Sequence, residues 1–188
     1  EFITGNAIAY ALYVSLMAAV FEEVGRFVAF KFFLTKHTDD NETAISYGLG
    51  HGGIECIIAL GITQLQYYAY AQLINQNKID TVINTLPDKA SKTAMTELIN
   101  AIKDMTLSES LLAGGQRFFI MFLQVALSVL VFKAVREVNN NRYIAIAIVL
   151  HTLGNIPAAL YQRDVCPRLG SELFSIAYSI VVCIFAYN

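Results

Sequence analysis

The chain has 188 residues, 56% of them hydrophobic and only 15% charged, with a formal net charge of −2. Soluble domains run nearer ~45–50% apolar and ~25% charged, so a mean hydropathy of +0.51 excludes an ordinary soluble domain, and the charge balance leaves no footprint for nucleic acid. Long apolar runs without strand-like alternation point to helices, which satisfy their own backbone polar groups inside hydrocarbon.

A span takes roughly 20 helical residues. The first apolar run covers 6–34 and contains the sequence EEVGR, with Glu22, Glu23 and Arg26. It is too long for a signal peptide and carries acids at its centre, so it reads as a spanning helix. The second run, 43–75, holds GLGHGGIE with His51 and Glu55. Residues 77–106 differ in kind: they are polar, include Pro87, and contain SKTAMTELINAIKDM, whose apolar residues recur at helical spacing. That pattern predicts an amphipathic surface helix. The third run, 107–136, carries Gln116, Arg117 and Gln124; the fourth, 143–162, holds HTLGN with His151 and Asn155; the fifth is 171–187.

The expectation is an all-α protein: a polytopic transmembrane helix bundle of about five spanning helices plus the amphipathic surface helix. It is read as a single domain, 1–188, with 77–106 outside the membrane. Because position 1 is Glu rather than Met, upstream helices are expected to be missing. Cys56 and Cys183 sit in apolar runs, where cysteine acts as a small hydrophobe; with Cys166 they show no metal-type spacing. Lys31, Lys36, Lys133, Arg136 and Arg142 flank the loops 35–42 and 137–142, which the positive-inside rule places on the cytoplasmic side of a bacterial membrane. His37 falls in the first loop and reads as solvated.

Ionisable groups inside a membrane are costly and ask for a reason. At about 1.5 Å of rise per residue, Glu22, Glu55, Asn155 and Gln124 come out near 18 Å from the cytoplasmic helix ends, and Arg26, His51 and His151 near 12 Å. Polar groups from four helices thus share one layer. Glu22 and Arg26, His51 and Glu55, and His151 and Asn155 are each spaced i,i+4 on one face, so Arg26 is expected to pair with Glu22. Gly48, Gly50, Gly52 and Gly53 surround His51, and small residues let membrane helices approach closely, which would bring His51 to the acids of the first run.

A carboxylate beside an imidazole can activate water as a general base. An imidazole with an amide N–H can stabilise an oxyanion, a role that suits His151 and Asn155. Together these parts fit amide hydrolysis.

The motifs EEVGR, GLGHGGIE and HTLGN, in that order on successive helices, resemble the YhfC family of bacterial intramembrane proteases, which is similar to the CAAX-prenyl and bacteriocin-processing proteases and to the PrsW group. The resemblance covers most of the chain, the first four runs in particular. It implies an intramembrane endopeptidase acting on a membrane-protein or peptide substrate, with Glu22, Glu23 and His51 as the water-activating set and His151 with Asn155 as the oxyanion set. Arg26, Glu55 and Gln124 are supporting residues in this reading. Two residues, Val24 and Gly25, separate Glu23 from Arg26, where the relatives have three.

The favoured reading is a glutamic-type enzyme that requires no cofactor. Zinc is the alternative, with ligands drawn from Glu22, Glu23, His51, Glu55 and His151. HExxH is absent. The rival functions are a proton-coupled transporter using the same buried groups, a haem subunit with His51 and His151 as axial ligands, and an inactive scaffold of the same fold. The expected partners are that membrane-protein or peptide substrate and the lipid bilayer, with no nucleic acid; oligomeric state has no signature in the sequence.

Overall fold

A computed structural model describes residues 2–34, 36, 41–137 and 142–187. His37, Asp39 and Asp40, and most of the two short loops used to assign orientation, lie outside the described residues. Every long element is helical: α1 Ala7–Phe33, α2 Asn41–Asn75, α3 Ile79–Thr85, α4 Lys89–Asp104, α5 Leu107–Arg136, α6 Arg142–Tyr161 and α7 Arg168–Tyr187. Five of these, α1, α2, α5, α6 and α7, are long and apolar enough to cross a bilayer. The protein is therefore an all-α polytopic helix bundle.

The chain forms two compact units, one of residues 1–54 with 115–188 and one of residues 55–114. In the second unit, the continuation of α2 packs with α3 and α4. The expected amphipathic helix at SKTAMTELINAIKDM is α4, and a further short helix, α3, precedes it across Leu86, Pro87 and Asp88. Proline disfavours helical geometry in the residue before it, which ends α3. Asp88 then caps α4: its carboxylate accepts hydrogen bonds from the backbone N–H of Ser91 at 2.8 Å and from the Ser91 hydroxyl at 2.7 Å. Those bonds, the backbone one foremost, favour the ionised form and hold the Asp88 carboxyl below its usual pKa.

In the first unit α5 is the central helix, with Leu123, Ala126, Leu127, Leu130, Val131 and Phe132 all buried. Large apolar side chains elsewhere face outward, among them Phe21, Phe33 and Val181, as lipid-facing positions do. α1 turns a face of Ala11, Ser15, Ala19, Glu23 and Arg26 inward and packs most extensively along α6. That spacing of four, four, four and three is the helical period.

Two of the four glycines around His51 do the work expected of them. A Cβ on Gly48 would lie 2.5 Å from the Cα of Val125, and one on Gly52 would lie 3.1 Å from the Cα of Met121. Gly50 and Gly53 face open space. Gly48 and Gly52, one turn apart, therefore let α2 lie against the backbone of α5, which sets the depth and facing of His51. Replacing Gly48 by Val is expected to cost about 1–3 kcal/mol through overpacking, read as a lower midpoint of unfolding in detergent; the same change at Gly53 should leave the midpoint unmoved.

Candidate active site

The site is built from one turn of α1, one of α2, one of α5 and one of α6. Glu23 and Arg26 are both fully buried. Arg26 Nη1 lies 3.1 Å from Glu23 Oε2, an ion-pair distance without hydrogen-bond alignment, since both atoms lack a hydrogen-bond partner. The sequence spacing had pointed to Glu22 as the partner of Arg26. The structure places Glu23 there instead, because an i,i+3 neighbour lies on the same buried face while Glu22 turns toward α2 and remains one third exposed.

Glu22 Oε2 is the meeting point of three nitrogen groups. His51 Nε2 lies 3.1 Å away, His151 Nε2 3.8 Å away, and the Gln124 amide nitrogen 3.4 Å away. His151 Nδ1 is 2.7 Å from Glu23 Oε1. A carboxylate only accepts, so the neutral His151 ring carries its proton on Nδ1 and presents a lone pair at Nε2, toward Glu22. Glu23 thus sets the orientation of one imidazole, and Arg26 offsets its charge. The opposite end of the Gln124 amide accepts from Arg26 Nη2 at 2.6 Å.

His51 is steadied from its other side. Tyr47, one turn earlier on α2, stacks on it with ring centroids 6.1 Å apart and planes 12° apart, and Phe30 of α1 packs on Tyr47. Sequence reasoning passed over Tyr47. Its position four residues before His51, on the same face, was the available signal.

Asn155 sits half-buried one turn beyond His151, and its amide makes no side-chain hydrogen bond to the described residues. Gly154, buried beside it, has the Tyr178 ring where a Cβ would stand at 3.1 Å, and the Tyr178 hydroxyl donates to the Leu150 carbonyl at 2.8 Å; the glycine of HTLGN therefore fits α7 against α6. Glu55 follows His51 by one turn of α2, on the same side of that helix.

The donor chemistry fits a metal ion. Zinc holds nitrogen and oxygen ligands at about 2.0–2.2 Å, so two ligands of one ion stand roughly 3–4 Å apart, and the 3.1 Å between Glu22 Oε2 and His51 Nε2 falls in that range. Two carboxylates against one guanidinium leave an uncompensated negative charge when both rings are neutral, an environment that favours a cation.

A helix bundle with five helices long and apolar enough to cross a bilayer, and two carboxylates meeting two imidazoles inside it, defines the class: a polytopic membrane protein with an ionisable cluster among its helices. The chain belongs to the YhfC intramembrane metalloprotease family, whose model matches residues 1–173. It is 32% identical over 156 residues to the uncharacterized membrane protein YhfC of Bacillus subtilis (strain 168), an alignment taking in 83% of this chain and 58% of that protein. The chain thus spans under two thirds of that relative's length. No solved structure matches it.

Proposed function

We propose that this chain carries the catalytic centre of an intramembrane metalloprotease of the bacterial cytoplasmic membrane, and that Glu22, His51 and His151 bear its chemistry. The observation that carries this reading is the placement of Glu22 Oε2 between the Nε2 atoms of two imidazoles, 3.1 and 3.8 Å away. The family description favours a metal, whereas a metal-free glutamic type finds no support there.

In this reading Glu22 and His51 hold the metal, with Glu55, one turn along α2 from His51, as a further donor. Zinc, when bound, supplies Lewis acidity and acidifies water. Glu22 accepts the proton of the attacking water and returns it to the departing amine, as a general base and then a general acid. Asn155, one turn from His151, donates its amide N–H to the oxyanion that forms on the scissile carbonyl. Glu23, spent on His151 and Arg26, takes no proton in this scheme; it keeps the His151 lone pair aimed inward. The substrate class is a membrane-embedded or membrane-adjacent peptide segment.

The test is metal content read beside activity. Full-length protein reconstituted in liposomes is incubated with a panel of single-span fluorogenic reporter peptides, before and after chelation. About one zinc per chain, cleavage lost on chelation and cleavage regained with zinc are the expected results. Cleavage that survives complete metal removal would return the reading to the glutamic type. Solute flux without any cleaved product would replace it with a transporter.

A further inference from the structure

Gln124 is buried inside an otherwise apolar stretch of α5, between Leu123 and Val125. A packing role alone would ask only that its amide find any partner. Its two ends are instead held by groups of opposite kind. Arg26 can only donate, and its Nη2 stands 2.6 Å from the Gln124 carbonyl oxygen, which fixes which end of the amide is which. The NH2 group must then face the other way, toward Glu22 Oε2 at 3.4 Å. Arg26 is itself fully buried and ion-paired to Glu23, so it is not free to swing.

We propose that Gln124 is a positioning residue that fixes the rotamer of Glu22. The Arg26-oriented amide draws Oε2 into the gap between His51 and His151, and the contacts of Glu22 with His51, Gln124 and His151 all fall on that oxygen. Oε1 is left as the oxygen able to take a proton from water. This rests on the role given to Glu22 above. The device acts through Glu22 and touches no substrate.

Two variants test it. Gln124→Glu keeps an acceptor for Arg26, so the fold is preserved, but removes the N–H donor and sets a second carboxylate against Glu22. Gln124→Met removes both hydrogen bonds at similar volume. In full-length protein each is expected to lower kcat about 10–100-fold with KM changed less than about twofold, the pattern of a displaced catalytic group. The spectroscopic signature is the 15N shift of the histidine rings, assigned with single His→Gln variants. The His51 resonances should move in both Gln124 variants, because their carboxylate partner has rotated, while His151 Nδ1, held by Glu23, should stay in place. Unchanged His51 shifts, or an unchanged kcat in Gln124→Glu, would overturn the proposal. Glu22→Gln separates the two levels: if it too cleaves normally the protease reading has failed, and if it alone is inactive only the positioning role has.

Discussion

Glu22→Gln is expected to lower reporter cleavage by at least about 100-fold, the usual contribution of a positioned general base and often ~10⁴-fold, while leaving the unfolding midpoint close to that of the parent. Glutamine keeps an oxygen that can accept from His51 Nε2 at the observed 3.1 Å and fills the same space. What it loses is the negative charge, and with it both proton acceptance and most of the affinity for a cation. Glu22 is one third exposed, so that charge contributes little to folding. Zinc content should therefore fall together with activity. The matching change at Glu23 separates the adjacent acids: Glu23→Gln keeps one oxygen to accept from His151 Nδ1 but turns an NH2 toward Arg26 in place of the paired oxygen, so it should lose stability as well, yet less activity than Glu22→Gln. Equal activity in Glu22→Gln and parent protein, with cleavage products confirmed by mass, would remove Glu22 from the mechanism.

The sequence carried most of the bundle and less of the site. Span positions follow from hydrophobic run length, a one-dimensional property, and the ends of α1 and α5 differ from the sequence expectation by a residue at most. The split of the segment 77–106 at Pro87 also has a local cause that the sequence contains. Partner choice inside the site does not. Helical spacing permits Arg26 to meet a residue three or four positions earlier with nearly equal ease, and only the packing of α1 on α6 decides that Glu23 faces inward and Glu22 sideways. His51 meeting the acids of α1 could be anticipated from the glycines of GLGHGGIE, because close approach needs missing side chains. The role of Gln124 could not, since its meaning depends on Arg26 and Glu22 standing at its two ends, about a hundred positions away in the chain. His151 shows the same limit: its spacing from Asn155 suggested an oxyanion pair, whereas the bond from its Nδ1 to Glu23 adds an orienting contact between helices.

The largest effect on stability is expected at the buried pair. Arg26→Met leaves the Glu23 carboxyl fully buried and without its counter-charge; breaking such a pair from one side costs about 3–5 kcal/mol, enough in a marginally stable protein to lower the folded yield sharply. Glu23→Leu strands Arg26 in the same way. Removing both members together is far cheaper, because the desolvation cost of each ion disappears along with their attraction. The double variant Glu23→Leu with Arg26→Met is thus expected to recover more than half of the stability lost by either single change, measured by unfolding in mixed detergent. It should nonetheless stay inactive. His151 Nδ1 then has no carboxylate at 2.7 Å, so nothing holds its lone pair toward Glu22, and Gln124 loses the guanidinium that fixes its amide. A double variant that is both stable and active would mean that Glu23 and Arg26 serve the fold alone. One that is stable and inactive, with His151 15N shifts moved from the parent values, would tie the pair to catalysis through the orientation of that ring.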